Sequence, residues 1–432
     1  IMKVVLLSAG RSVRMQPVSD KNFLKFCGKP LIEHQIEALK KAGFKEILVV
    51  GGKHNLVQLK KLAREFKNAK ISIAEQKNLD LGMAGAVLTA ANWIGNDPFL
   101  VVSANDVVDL SAYELVKKNI KSGEGLLVAK KVSQYFPGGY LKLDGKGIIK
   151  TIVEKPAKGK EPSKLVNVVI HYHPTPKALF ENLKREIKNG DANDMYERAL
   201  QSLFDVGIVY RAVPFSGFWQ PIKYPWHVLD LMNWFFDKCN CRGKNVVLAP
   251  SAKIEGAVFL DDGVRVMDNA VIVGPAYIGK NSVIATNALV RSSHVGENCV
   301  IGFGSEIARS YIGDNVWTHA NYIGDSIIGN NVSFGSGAVT GNLRLDEKNI
   351  LVNVNGDKID SGRNKIGLIT GDNIRAGINA SFMPGVKLGS NSFIGAGIVV
   401  GQDIPGGSYV TGKWELKIKP NSERIDPRGK SL

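Results

Sequence analysis

Between Lys3 and Lys155 the chain alternates short β-branched runs with stretches whose apolar residues fall on one helical face. KVVLLSAG reads as a strand, PLIEHQIEALKKAG as a helix presenting Leu31, Ile32, Ile36 and Leu39, and EILVVGG as a second strand. NLVQLKKLAREF, KISIAEQ, MAGAVLTAANWI and FLVVSAND continue the alternation. Repeated βαβ units predict an α/β domain, a doubly wound and mostly parallel Rossmann-like sheet with helices on both faces. Ligands of such sheets sit at the carboxyl ends of the strands.

From about residue 245 a six-residue period replaces the helical one. IGKNSV begins at Ile278, VGENCV at Val295, IGDNVW at Ile312 and IGNNVS at Ile328; LGSNSF at Leu388 and IGAGIV at Ile394 resume the pattern after an interruption. The first four starts lie 17, 17 and 16 residues apart, about three hexads per turn. An aliphatic residue at every sixth position stacks inside such a coil, while Gly and Asn turn its corners. The second half is therefore expected to be a left-handed parallel β-helix of hexapeptide repeats. The flat sides of that prism favour a homotrimer, with sites in the grooves between subunits. The expected division is 1–243, 244–412 and a tail, 413–432.

Composition narrows the function classes. The 44% hydrophobic content suits a globular protein. No apolar run approaches a membrane span, and IMKVVLLSAG lacks the length and flanks of a signal peptide, so no membrane partner is expected and the location is expected to be cytoplasmic. Cys27, Cys239, Cys241 and Cys299 make no zinc pattern and read as reduced structural thiols. The net charge of +16 is lopsided: residues 1–250 carry 38 Lys and Arg against 23 Asp and Glu, and residues 251–432 carry 18 against 17. A basic first half fits phosphorylated metabolites, and without a DNA- or RNA-binding motif no nucleic-acid partner is expected.

LLSAGRSVRMQP follows the first strand directly. The small turn of Ser8, Ala9 and Gly10 lets backbone N–H groups approach phosphates, and Arg11 and Arg14 add positive charge. With DKNFLKFCGKPLIEHQIEAL after it, this stretch resembles the sugar-1-phosphate nucleotidylyltransferase family, whose pattern runs LAAG-x-G-T-R-M, then P-K, then GKP. Aligned on Gly28-Lys29-Pro30, the family's catalytic lysine falls on Lys21, while its second Gly is Ser12, its Thr is Val13 and the Pro before its lysine is Asp20. EQKNLDLGMAGA resembles the base-recognition segment, which puts Gln76 on a pyrimidine edge and Gly82 against the base. VVSAND places Asp106 where the family binds Mg²⁺. VEKP matches Glu154 to sugar hydroxyls and Lys155 to the sugar phosphate, and Gly139 and Asn167 resemble sugar contacts. The implied reaction is attack of a sugar-1-phosphate on the α-phosphorus of a nucleoside triphosphate, with Arg14, Lys21 and Mg²⁺ on Asp106 balancing charge. The family's second metal-binding carboxylate or amide, in a segment like W-x-D-I-G, corresponds here to Pro221; Gln220, His227 and Asp230 are the candidates to compensate.

A His in a hexad coil ordinarily belongs to the surface. THANYIGDS, with FGSGAVTGNLRLDEK after it, nevertheless resembles the acetyltransferase half of bifunctional N-acetylglucosamine-1-phosphate uridylyltransferases and their archaeal relatives. The resemblance implies His319 as the base that deprotonates an amino sugar, a task suited to imidazole. It further implies Tyr322 orienting the sugar phosphate, Asn342 positioning the amine, Lys348 or Arg309 offsetting phosphate charge, and Asn379 and Ala396 lining an acetyl-CoA groove. The insertion NLRLDEKNILVNVNGDKIDSGRNKIG, which interrupts the hexads, is expected to cover that site. Together the two motif sets imply a bifunctional enzyme acetylating glucosamine-1-phosphate from acetyl-CoA and joining the product to UMP from UTP. Two rival readings stay open: a monofunctional nucleotidylyltransferase, using glucose or mannose-1-phosphate with dTTP or GTP, whose coil only trimerises, and a non-catalytic subunit like those of translation initiation exchange factors.

Overall fold

The computed structural model describes residues 2–66, 69–190, 194–240, 242–413 and 415–422. The C-x-C pair of the cysteine reading includes Cys241, and the tail includes Trp414 and residues 423–432; these lie outside the described residues.

The first half is built on a nine-stranded sheet. At its centre Lys3–Leu7 pairs in parallel with Glu46–Gly51 on one side and Phe99–Ser103 on the other, and Lys70–Glu75 extends it in parallel. Both faces are covered, which is why the central strands are apolar throughout rather than alternating. Helices Leu31–Lys41, Leu56–Ala63 and Gly82–Thr89 occupy the predicted positions. Beyond Phe99–Ser103 the sheet turns antiparallel through Leu165–His173 and parallel pairing returns between Gly125–Lys131 and Tyr210–Pro214, so the sheet is mixed, with its continuous parallel run between Lys3 and Ser103.

The second half is the expected prism. One face stacks eight strands, from Lys253–Glu255 to Val399–Val400, and a second stacks seven, from Val258–Leu260 to Lys387–Leu388. The third consists of two four-stranded runs bridged by Trp317. Buried Ile, Val and Leu fill the interior. Asn281, Asn298, Asn315 and Asn331 take left-handed backbone conformations at successive turns of one corner, where Asn tolerates positive φ. Inside another, Ser293, Ser310 and Ser326 form a ladder in which each hydroxyl accepts the backbone N–H of the next coil, at 3.0 Å for both steps.

The two halves share a core. Phe26 and the helix His227–Phe236 pack against Tyr277, Tyr311, Ile327 and Ile369 of the second face. Lys25 reinforces the seam, its ammonium 3.2 Å from Glu297 and 2.8 Å from Asp314. The insertion forms the hairpin Leu351–Val354 and Asp357–Asp360, but its buried Ile350, Val352 and Val354 join this same core and Arg363 pairs with Asp230. It is therefore a strap from the coil to the first domain and not the expected cover, because its apolar face finds a partner on that helix.

Candidate active sites

The first constellation lies at the carboxyl edge of the sheet. Ser8 is fully buried, and both its N–H and its hydroxyl donate to the Val50 carbonyl, at 2.9 and 3.1 Å. Ser8 therefore anchors the loop and cannot offer its donors to a phosphate, a correction to the sequence reading. Ala9, Gly10, Arg11, Gln76 and Gly82 line one cavity of about 220 Å³, with Asn105 on its wall. Gln76 bridges the Asn78 and Gly82 carbonyls at 3.0 and 2.9 Å, which holds the turn bounding that cavity. Arg11 pairs with Asp80 at its mouth.

Asp20 ties the lysine segment to this loop. Its carboxylate accepts the Asn22 N–H at 2.9 Å, the Asn22 amide at 2.7 Å and the Asn55 amide at 2.7 Å. Both amides also donate to the Ser8 carbonyl. Next to this bracket, Lys21 donates to the Ile222 carbonyl at 2.9 Å. Burial, helped by Arg14, pushes its ammonium down to about 8, while Asp106 and Asp20 oppose the shift.

Asp106 begins the strand Asp106–Val108, which pairs with Trp219–Pro221 so that Pro221 stands directly opposite it. Burial raises its carboxyl against the pull of Lys223, the Val169 N–H and Lys21. The residues proposed to replace the missing ligand are occupied elsewhere. The Gln220 amide donates to the Pro221 carbonyl, His227 Nδ1 accepts the Lys223 N–H at 3.1 Å, and Asp230 pairs with Arg363. Among the described residues no group of three or more His, Cys, Asp or Glu could hold a metal ion. Asp106 alone fits a Mg²⁺ that arrives with a triphosphate, since such sites use as few as one carboxylate.

The four residues matched to sugar contacts lie together. A Cβ on Gly139 would lie 2.8 Å from Asn167 Nδ2 and 3.1 Å from Glu154 Oε2, so only glycine leaves room between them. Lys155, with φ 43°, pairs with Glu154 at 3.1 Å. Glu197, from the first turn of helix Met195–Asp205, is pushed up to about 7 by burial and by Glu154. An acid on an amphipathic helix reads as a solvated face, so nothing in the sequence singled it out.

The second constellation spans successive coils of the prism. His319 sits at a corner with its side chain exposed, while its backbone is fixed: its N–H donates to Asn321 Oδ1 at 2.7 Å and its carbonyl accepts the Ser305 hydroxyl. Asn321, which the motif reading passed over, pins the corner by donating to Gly335 and Ala338 carbonyls at 2.8 and 2.9 Å. The same corner continues coil by coil through Gly335–Gly337, Gly377–Asn379 and Gly395–Gly397, which places Asn379 and Ala396 in line with His319. Tyr322 lies on the adjoining face, and the next corner gathers Arg309, Asp325 and Asn342. Asp325 is the buried hub there: it accepts both Arg309 donors at 2.8 and 2.6 Å and the Asn342 amide at 2.5 Å, and that amide also reaches the Tyr322 hydroxyl at 3.2 Å. Lys348 does not join. It is exposed in the turn leading into the hairpin, carried away by the strap.

A small cavity under the first loop, Lys21 near Asp106 at the same sheet edge and the Gly139–Glu154–Asn167 cluster, followed by a hexad prism with a polar corner, have the layout of a two-domain transferase. Residues 3–222 match the nucleotidyl transferase family. The bifunctional protein GlmU of Methanococcus maripaludis is 34% identical over 96% of this chain and 99% of its own length. A bifunctional sugar-1-phosphate nucleotidylyltransferase/acetyltransferase of Sulfurisphaera tokodaii is 32% identical over 94% and 99%. A solved apo UDP-glucose pyrophosphorylase covers 55% of this chain and 99% of its own at 22% identity and a TM-score of 0.47. The chain belongs to the nucleotidyl transferase family and, along nearly its whole length, to the bifunctional nucleotidylyltransferase/acetyltransferases.

Proposed function

We propose that the coil acetylates glucosamine-1-phosphate from acetyl-CoA and that the first domain then transfers UMP from UTP to the product, releasing pyrophosphate. The carrying observation is that most residues of each motif set lie together, Lys21 near Asp106 at one sheet edge and Arg309, Tyr322 and Asn342 around Asp325 on the coil that bears His319. Full-length relatives with bifunctional names support the pairing.

In the first domain a sugar-phosphate oxygen attacks the α-phosphorus and the bond to pyrophosphate breaks. No covalent intermediate is required, so the protein aligns two anions and offsets their charge. Lys21 and Arg14 serve the triphosphate, Gly139, Glu154 and Asn167 seat the sugar, and Lys155 holds its phosphate. Asp106 would hold Mg²⁺, which supplies further neutralisation when bound. In the coil, His319 takes a proton from the sugar ammonium; the amine attacks the thioester carbonyl and CoA leaves as the thiolate. The Arg309–Asp325–Asn342 corner with Tyr322 orients the sugar phosphate, and Asn379 and Ala396 line the acetyl-CoA groove.

The test is CoA thiol release with glucosamine-1-phosphate, galactosamine-1-phosphate or no sugar, alongside pyrophosphate release with UTP. His319→Ala is expected to lose at least about a hundredfold of the thiol release and to leave pyrophosphate release unchanged. Thiol release that is absent in wild type, or unaffected by the substitution, returns the coil to a trimerisation role.

A further inference from the structure

Lys223 holds a place in the first domain that no motif predicts. It lies two residues past Pro221, at the end of the strand that pairs with Asp106. Its backbone N–H donates to His227 Nδ1, which fixes where the side chain starts. The side chain then crosses the cleft: its ammonium lies 3.8 Å from the centre of the Phe136 ring and donates to the Pro137 carbonyl. Phe136 in turn packs on Trp219, with ring centres 4.9 Å apart, so both ends of the crossing are braced. Pro137 is two residues before Gly139, on which Asn167 and Glu154 converge. The ammonium is therefore strung between the Asp106 strand and that cluster, within electrostatic reach of Asp106 and Arg14 on one side and Glu154 and Lys155 on the other.

Among the described residues no carboxylate lies within ion-pair distance of this ammonium; the same holds for Lys21, which is held by the Ile222 carbonyl. Two largely buried cations braced on backbone carbonyls, without a carboxylate to close them, are arranged for an incoming anion. At the same edge a proline stands where the family pattern has a metal ligand. One change removes an anchor for a divalent cation; the other brings a fixed cation to the neighbouring position.

We propose that Lys223 binds the phosphate of the sugar-1-phosphate directly and takes over the neutralising role that a second metal ligand would otherwise support. This rests on the nucleotidyl-transfer reading of the first domain. It predicts that sugar-1-phosphate binding needs no metal.

Calorimetric binding of N-acetylglucosamine-1-phosphate to the full chain in EDTA tests it. Wild type is expected to bind, Lys223→Ala to bind about tenfold or more weakly, as for loss of a charge-assisted hydrogen bond, and Lys223→Arg to keep most of the affinity. Thermal melting and circular dichroism of the same preparations report whether each variant is folded. The double variant Pro221→Asp/Lys223→Gly is expected to regain the affinity only when Mg²⁺ is added. Unchanged affinity in Lys223→Ala, or no binding by wild type without metal, overturns the inference. Lys223-dependent binding without any UMP transfer keeps the inference and sinks the proposed activity, so the two failures are distinguishable.

Discussion

At the scale of single residues, the first domain keeps its geometry by substituting one kind of restraint for another. Where the family pattern has a proline before the lysine, this chain has Asp20, whose carboxylate gathers Asn22 and Asn55 and through them the Ser8 carbonyl. A proline would fix φ through its ring; here hydrogen bonds hold Asp20 at φ −54°, a value proline also adopts. Asp20→Ala leaves two buried amides short of an acceptor and is expected to cost about 1–3 kcal/mol of stability and to slow UMP transfer by loosening Lys21. Asp20→Pro is expected to recover the transfer rate better than alanine does. Thermal melting and pyrophosphate release on both variants check this, and an alanine variant as active and as stable as wild type would remove the bracket from the account. Lys21, Asp106 and the sugar residues were legible because they sit in short quoted motifs. Asp20, Asn55 and Lys223 were not, since each acts through a partner distant in sequence, and Asp20 is itself a departure from the pattern being matched; Asp325 sits inside a quoted stretch, but its role as a hub depends on Arg309 and Asn342 from the neighbouring coils.

Among elements, the coil was readable almost to the residue because its period repeats every turn, whereas the strap was not. Ile350, Val352 and Val354 alternate as a hairpin strand should, yet their partner is a helix some hundred residues earlier, and alternation does not name a partner. A second regularity lay in the sequence unread: Tyr277, His294 and Tyr311 precede the aliphatic of three successive hexads, so they stack on one face, with ring centres 4.9 Å apart at both steps. Phe26 packs edge-on against this ladder, which puts His294 inside the seam between the halves. Burial pushes its imidazole down to about 4, with Asp314 raising it and Lys25 lowering it. Between the unfolded value near 6.5 and that folded value the unfolded chain binds the extra proton. The contribution of this group is thus complete above about pH 6.5 and is lost as the pH falls toward 4, by up to ~3 kcal/mol, alongside that of His171, His173 and His227, which burial also pushes down. His294→Phe, which keeps the stack, is expected to flatten that part of the curve. Urea unfolding of both proteins from pH 7 to 4 measures it; parallel curves would mean that other groups carry the acid sensitivity.

On the scale of the whole molecule, the exposed apolar side chains are unevenly placed. Phe303, Ile378, Val339 and Val399, each at least 40% exposed, lie along the eight-stranded face and the corner that bears His319. A row of that kind on a rigid prism is the type of surface that marks an interaction site. The second face of the prism is already taken by the first domain, so the expected partner of the free faces is a second copy of the coil, and a closed three-fold arrangement would satisfy them with one repeated contact. In that arrangement His319 would lie in the groove between subunits, where a neighbour would complete a site that one chain leaves open to water. The first-domain constellation, by contrast, is assembled within one chain. Ile378→Glu with Val399→Glu is therefore expected to convert a trimer to monomers in light scattering and to abolish acetyl transfer while UMP transfer continues. Acetyl transfer by the monomeric variant would show that one coil suffices. A variant that stays trimeric would place the interface on the remaining face, whose exposed Trp317, Phe393 and Tyr409 are the next to substitute.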